Sequence, residues 1–250
     1  MNGRRLWRAL LAQTSIELRL TLRRGESLLI TLIVPVLLLV FFSSLGFIQP
    51  PGGSGAPVQF LLPGMLALAV ISTSMVSVGI ATAYERYYGV LKLLGGSPLP
   101  RSVLIVAKTL SVVAQEVVQI AVLLAVAAVG FGWRPEGSLG TAVGILLLGT
   151  AAFTGLGLAM AGRLRAEMTL AGANGLYLVF LLLGDVVLPL SHLPPPLRLL
   201  AHALPAAPLT DALRAAMTGG SAGGFGAPLL ALGAWAVALV VLAALTFRWE

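Results

Sequence analysis

The stretch LLITLIVPVLLLVFFSSLGFI, residues 28–48, contains 21 residues and no charge. A helix needs about 20 apolar residues to cross the roughly 30 Å hydrocarbon core of a bilayer, so this run is long enough to be a membrane span. Several Arg residues precede it, and it exceeds the about 7–15 apolar residues of a cleavable signal peptide. The stretch therefore predicts a span that stays in the mature protein.

Similar apolar runs continue along the chain. Together with the first they give six predicted spans: residues 28–48, 60–83, 103–131, 139–161, 169–190 and 227–247. The third includes Lys108 and Glu116, and the fifth includes Asp185. The pattern predicts an all-α membrane protein whose residues 1–250 form a single transmembrane domain.

The composition agrees with a membrane protein and excludes other classes. Hydrophobic residues make up 58% of the chain and charged residues 10%, whereas soluble domains have about 45–50% and 25%. The net charge of +7 comes from basic residues that punctuate apolar segments, unlike the polar basic face of a nucleic-acid binder. The chain has no cysteine and only two histidines, His192 and His202, so we expect no metal site.

The basic residues also predict the orientation, because Lys and Arg are retained on the cytoplasmic side of a membrane. If the N-terminus is inside, twelve basic residues fall on the inner side and three on the outer side. The inner ones are Arg4, Arg5, Arg8, Arg19, Arg23, Arg24, Arg86, Lys92, Arg101, Arg163, Arg165 and Arg248, and the outer ones are Arg134, Arg198 and Arg214. Both termini are therefore expected in the cytoplasm.

Residues 1–27, before the first span, favour an amphipathic helix that lies in the membrane interface. At about 100° per residue, Leu6, Trp7, Leu10, Leu11, Leu18 and Leu22 fall on one side, and Arg5, Arg8, Arg19 and Arg23 gather on another. Such a helix buries Trp and Leu and leaves Arg among the lipid headgroups. A simple orientation anchor would explain the charges about as well.

The third outer loop, residues 191–226, contains two moderately apolar pieces, Pro196 to Leu204 and Leu209 to Met217. Neither is long enough to span. We expect short re-entrant helices here, which are tolerated where protein covers the backbone.

The connection after the second span, YERYYGVLKLLGGSPLPR (residues 84–101), is more elaborate than a reversal of direction requires. It has a charged start, an apolar helical set, a Gly-Gly break and a stiff Pro-Leu-Pro ending. These features predict a short helix that lies across the membrane face and is available to a partner.

At these motifs the sequence resembles the type-2 ATP-binding-cassette (ABC) exporter permeases, which include bacterial drug, antibiotic and polysaccharide exporters. The matching motifs are Leu62-Pro63-Gly64, Glu85-Arg86, Gly89, Leu91-Lys92-Leu93-Leu94, Pro98-Leu99-Pro100, Pro208-Leu209-Thr210 and Leu213-Arg214. The sequence departs from the family pattern at Tyr87-Tyr88 and Val90. The resemblance covers nearly the whole chain.

The resemblance implies a permease subunit that moves a hydrophobic or amphipathic substrate, such as a drug, antibiotic, lipid or lipid-linked glycan, out of the cytoplasm or inner leaflet. It implies a cytoplasmic ATPase partner that binds ATP and Mg, a second permease copy in a homodimer or heterodimer, and a bacterial cytoplasmic (inner) membrane. It assigns ATPase coupling to Glu85, Arg86, Gly89, Leu91, Lys92, Leu94, Pro98 and Pro100, with the N-terminal interfacial helix (Trp7, Arg8, Arg19, Arg23) as a second contact. In the outer re-entrant region it marks Pro208, Thr210 and Arg214.

A search for catalytic motifs agrees with a separate energy source. The chain contains no G-x-x-x-x-G-K-[ST] phosphate loop. We therefore expect no ATPase site and no bound cofactor on this chain.

A few polar residues inside the predicted spans are candidates for a translocation path. Glu116, Gln119 and Asn174 could line a water-filled route, or they could make structural contacts between helices. Lys108 is expected to snorkel to the cytoplasmic interface, and Asp185 to meet water at the outer end of its span.

Two other classes of function compete with ABC export. A proton-driven secondary transporter could use Glu116 and Asp185 as carriers, although such folds often show corresponding broken helices in two halves and no repeat is evident here. An intramembrane enzyme would need a catalytic constellation, and none is present at usable spacing.

Overall fold

The structure, a computed structural model, describes residues 3–23, 25–45, 56–96, 100–190, 193–219 and 226–246. Of these residues 87% are helical and none lies in a strand. Helices suit a chain of this composition, because a helix satisfies its backbone hydrogen bonds within one segment and needs no water to do so. The all-α prediction is confirmed.

Eleven helices make up the described part of the chain. In chain order they are α1 (Gly3–Arg23), α2 (Gly25–Leu45), α3 (Pro57–Val70), α4 (Val78–Tyr87), α5 (Val90–Gly95), α6 (Arg101–Phe131), α7 (Leu139–Arg163), α8 (Ala166–Leu183), α9 (Pro195–His202), α10 (Ala206–Met217) and α11 (Gly226–Thr246). A π-helical segment, Ile71–Ser77, joins α3 to α4, so these three pieces form one continuous helix, Pro57–Tyr87.

Five described helices are long and apolar enough to cross a membrane: Pro57–Tyr87, Ser102–Phe131, Leu139–Arg163, Ala166–Leu183 and Gly226–Thr246. They correspond to the second to sixth predicted spans. The first predicted span falls on α2, whose apolar part among the described residues, Thr31–Leu45, is shorter, and its residues 46–48 lie outside the described part. A sixth span therefore stays a prediction.

Two predicted boundaries are wrong. The fifth span was expected to reach residue 190, but α8 ends at Leu183 and Asp185 has a φ of 56°, a left-handed conformation typical of helix ends. The connecting helix was expected to begin at residue 84, but α4 continues to Tyr87, so Glu85 and Arg86 belong to the spanning helix. The break comes at Gly89, where a φ of 76° favours glycine.

The core sits around the Pro57–Tyr87 helix. In its most apolar window 89% of the residues are buried, and the corresponding figure is 67% for α7 but only 22–28% for α6, α8 and α11. The inner two helices cross closely, since a Cβ added at Gly79 would lie 3.1 Å from the Gly157 Cα. Helices α6, α8 and α11 expose apolar side chains on the surface of the bundle, as contact with lipid requires.

Helix α1 lies against α6 and buries a polar strip. Gln13 and Glu17 are each 8% exposed, whereas Trp7, Leu11 and Leu22 face outward. Arg8, Arg19 and Arg23 are also exposed. The helix therefore has outward apolar and basic sides beside a buried polar strip, and its position in the membrane interface stays a prediction.

Two short helices, α9 and α10, occupy the predicted outer region. Pro208 and Thr210 are buried on α10, and the Thr210 hydroxyl donates to the Ala206 carbonyl oxygen at 3.1 Å. Most of α9 is exposed. The depth of these helices in the membrane stays a prediction, and His192 lies outside the described residues.

Candidate functional site

A buried ion cluster joins three helices at the end of the bundle that carries α5, which we call the α5 end. The Lys108 Nζ on α6 lies 2.7 Å from Glu85 Oε2 on α4 and 3.1 Å from Glu17 Oε1 on α1. Lys108 is 3% exposed, Glu17 8% and Glu85 9%. The Gln13 side-chain amide donates to Glu17 Oε1 at 3.0 Å and completes the cluster.

This arrangement corrects the prediction for Lys108, which was expected to snorkel into the interface. Snorkelling is unnecessary because α1 covers the residue and brings Glu17 as a counter-charge. Removal of one member of such a buried cluster would leave a charge without compensation, which typically costs about 3–5 kcal/mol. The cluster therefore fixes α1 to the Pro57–Tyr87 helix and to α6.

Glu85 and Arg86 are neighbours in sequence but contact different elements. Glu85 binds Lys108, whereas the Arg86 guanidinium donates to the backbone carbonyl oxygen of Leu164, directly after α7. The Glu-Arg pair thus connects the end of α4 to α6 and α1 on one side and to α7 on the other.

Helix α5 follows soon after α4, and one of its sides packs against the bundle while the other is exposed. Leu91 is 1% exposed and packs with Leu104 of α6 and Leu158 of α7, with Leu94 partly buried against them. Lys92 and Leu93 are exposed. The structure places the predicted residues Gly89, Leu91, Lys92 and Leu94 on or beside this helix, and Pro100 immediately before α6, whereas Pro98 lies outside the described residues.

The exposed side of this region is aromatic and apolar. Tyr87 is 65% exposed, Tyr88 71% and Leu93 79%. The ring centroids of Tyr87 and Tyr88 lie 5.1 Å apart, and the Tyr84 ring stacks on Tyr88. An exposed apolar patch of this kind marks a surface that contacts protein or membrane.

A second polar cluster lies in the interior between α6, α7 and the π-helical segment. The Thr150 hydroxyl donates to Glu116 Oε2 at 2.5 Å, and the Thr73 hydroxyl donates to Gln119 Oε1 at 2.7 Å. Glu116 Oε1 and Gln119 Nε2 have no partner among the described residues. Glu116 and Gln119 therefore sit in a helix interface, and their place on a translocation path stays a prediction.

Asn174 does not join that cluster. Its side-chain amide donates to the Leu170 carbonyl oxygen of its own helix at 2.8 Å, and the residue is exposed. The three residues predicted to share a path are thus divided between two places.

Asn174 instead lines a cavity of about 660 Å³. The cavity is bounded by α1, α2, the Pro57–Tyr87 helix, α6 and α8, and Glu17, Glu85 and Lys108 are among the residues that line it. Glu116 and Gln119 are not among the residues that line it. Its walls combine apolar side chains with hydroxyl and amide groups, as binding sites for amphipathic molecules do.

At the opposite end of the bundle, which carries α10, Asp185 forms a buried ion pair with Arg214. The Arg214 Nη1 contacts Asp185 Oδ2, its Nη2 donates to the Asp185 carbonyl oxygen at 2.8 Å, and its guanidinium carbon lies 4.0 Å from the Phe60 ring centroid. Asp185 is 6% exposed, so the prediction that it meets water is wrong. The prediction failed because its partner belongs to a helix 29 residues away in sequence.

The surroundings of this pair explain two further features. Burial, together with the charge of Asp185, raises the pKa of Asp211 to about 6.

A Cβ added at Gly64 would lie 2.4 Å from the Val186 carbonyl oxygen, so the Gly of Leu62-Pro63-Gly64 lets α3 approach the segment after α8.

Sequence reasoning missed Glu17 and Gln13. Glu17 is the only acidic residue before Glu26, and a lone carboxylate on a basic helix was a usable signal. Among the described residues no group of three or more His, Cys, Asp or Glu could hold a metal ion.

Comparison with known proteins gives one family. The family model described as ABC-2 type transporter matches residues 8–218, from α1 through α10. A comparison with curated proteins finds no match.

Proposed function

Because this chain belongs to the ABC-2 type transporter family, we propose that it is the membrane subunit of an exporter driven by a separate ATP-binding-cassette ATPase. The family is one of multi-pass membrane permeases. The proposed cargo is a hydrophobic or amphipathic molecule such as a drug, an antibiotic, a lipid or a lipid-linked glycan. ATP and Mg would be bound by the partner and not by this chain.

The observation that carries the proposal is the exposed face of α5. Leu93 on α5 is exposed together with Tyr87 and Tyr88 directly before the helix, while Leu91 anchors α5 to the bundle. Because α5 is exposed on one side and packed against the bundle on the other, it can transmit movement of a bound ATPase to the membrane helices.

The contacts beneath α5 provide a route for that force. Glu85 is bonded to Lys108 of α6, which is bonded to Glu17 of α1, and Arg86 is bonded to the chain after α7. Movement of α5 would therefore move α1, α6 and α7 as connected bodies, a hinge-type transition. In this proposal α1 is a second contact for the ATPase, through the side that carries Arg8, Arg19 and Arg23.

The proposal includes a second permease copy, identical or homologous, which the resemblance to the type-2 exporter permeases implies. It places the complex in the bacterial cytoplasmic (inner) membrane, with both termini in the cytoplasm and the α10 end outside.

The geometry favours ATP-driven export over the proton-driven alternative. Asp185 is held by Arg214, and Glu116 is bonded to Thr150 in a helix interface and is not among the residues that line the cavity. A proton carrier needs a carboxylate that exchanges with a water-filled path, and neither residue lies on the cavity.

The proposal predicts that Leu93→Asp separates the ATPase from the permease. A charge buried in an apolar contact should weaken the complex about tenfold or more. Vanadate-sensitive ATP hydrolysis that co-purifies with the tagged permease from native membranes would measure this loss.

Leu199→Asp is the matched control. Leu199 is 76% exposed on the short helix α9 at the opposite end, compared with 79% for Leu93, and its replacement should leave hydrolysis unchanged. Both variants are first checked for a wild-type unfolding temperature. Wild-type hydrolysis in a folded Leu93→Asp protein would contradict the proposed contact.

A further inference from the structure

The cavity between α1 and α8 has an uneven distribution of charge. The charged residues among those that line it are Glu17, Glu85 and Lys108, and all three lie at its α5 end. Their formal charges sum to −1. Arg86, the nearest cation along the chain, is directed to the Leu164 carbonyl oxygen and is not part of the lining.

One carboxylate oxygen in this cluster is available to a ligand. Lys108 contacts Glu85 through Oε2 only, at 2.7 Å, and the Oε1 atom of Glu85 has no hydrogen-bond partner among the described residues. Glu17, in contrast, accepts bonds from both Gln13 and Lys108. The cluster as a whole therefore keeps one negative charge, and Glu85 Oε1 is the carboxylate oxygen in it that Lys108 does not occupy.

The rest of the cavity suits a bulky apolar body. Val34, Val76 and Ile80 form apolar walls, and Ser72, Gln115 and Tyr177 add neutral hydrogen-bonding groups. Three exposed lining residues, Leu20 of α1 and Leu170 and Asn174 of α8, form its rim. A molecule could thus reach the cavity between α1 and α8 from the surrounding lipid.

We propose that this cavity binds amphipathic organic cations, with the positive group at Glu85 and the apolar body along α2 and the Pro57–Tyr87 helix. The inference rests on the proposed export function and specifies the substrate class for it. A cation restores charge balance at the cluster, whereas an anion of the same shape meets uncompensated negative charge. The site therefore selects cations over anions both by attracting the cation and by repelling the anion.

Two probes of matched shape and opposite charge test this inference: tetraphenylphosphonium and tetraphenylborate. Their binding is measured by equilibrium dialysis against the full chain in nanodiscs, with binding to empty nanodiscs subtracted. We expect saturable tetraphenylphosphonium binding that weakens about tenfold in Glu85→Gln and in Glu17→Gln, a factor equivalent to about 1.4 kcal/mol. Tetraphenylborate binding should stay equal or become tighter in the same variants.

Two further variants complete the test. Glu167→Gln removes an equal charge at an exposed position outside the cavity and should leave tetraphenylphosphonium binding unchanged. Ala81→Trp fills the cavity and should abolish that binding. If Glu85→Gln does not fold, Glu17→Gln and Ala81→Trp decide the question.

The inference is overturned if the wild-type chain binds no tetraphenylphosphonium above empty nanodiscs, or if the folded Glu-to-Gln variants or Ala81→Trp bind it as tightly as the wild type does. These measurements need no ATPase. Their failure would leave the result for Leu93→Asp intact, so the two proposals fail separately.

Discussion

Replacement of Lys108 by methionine is expected to destabilise the permease by about 3–5 kcal/mol, because two buried carboxylates, Glu17 and Glu85, lose their shared counter-charge. For a chain of this size each kcal/mol corresponds to about 2–4 °C, so the unfolding temperature should fall by roughly 6–20 °C. Thermal unfolding of the purified protein in a mild detergent measures the change.

The chain offers an unusually clean control for this experiment. It has two lysines, and the other, Lys92, is exposed on α5, so Lys92→Met should change the unfolding temperature little. A triple variant with Lys108→Met, Glu17→Gln and Glu85→Gln removes the uncompensated charges and should recover most of the lost stability. If the triple variant is no more stable than Lys108→Met alone, the ion cluster does not account for the effect.

The second large effect is expected for Gly157→Leu, at the crossing of the two most buried helices. A Cβ at this position would lie 2.6 Å from the Met75 carbonyl oxygen and 3.1 Å from the Met75 Cα. Both are backbone atoms of the Pro57–Tyr87 helix, so the helices must separate to admit the side chain. Overpacking of this kind costs about 1–3 kcal/mol, and we expect the upper end of that range.

Gly144→Leu is the matched control, in the same helix α7. A Cβ at Gly144 has no atom within 4 Å, so the added side chain points into open space and should change stability by less than about 1 kcal/mol. Chemical denaturation followed by far-UV circular dichroism compares the two variants. An equal loss of stability in both would show that the crossing is not close.

The positions of the spans could be predicted because long uncharged runs are a local property of the sequence. Five of the six predicted runs fall on helices that are long and apolar enough to span. The apolar set, the Gly-Gly break and the Pro-Leu-Pro ending likewise placed a short helix between the second and third spans, although its start was wrong by six residues, 84 against Val90. The error arose because Glu85 and Arg86 read as loop charges in a linear scan.

The polar contacts could not be predicted, since they join residues that are distant in sequence. Lys108 and Glu17 are 91 residues apart, and their pairing depends on how α1 lies against α6. A hydropathy scan also extended the fifth span through 184–190, because it cannot detect the left-handed turn at Asp185. The cavity is formed by side chains from five parts of the chain, and no single stretch indicates it.

The most direct test of the central claim, that α5 is the contact for a separate ATPase, uses the absence of cysteine from the chain. Single-cysteine variants Leu93→Cys and Leu199→Cys are treated with a short bifunctional cross-linker in native membranes, and the products are identified by mass spectrometry. We predict that Leu93→Cys forms a cross-link to a protein that contains the G-x-x-x-x-G-K-[ST] phosphate loop and that Leu199→Cys forms none. If vanadate-sensitive hydrolysis co-purifies with the Leu93→Cys permease but no such cross-link forms, the proposed role of α5 is contradicted.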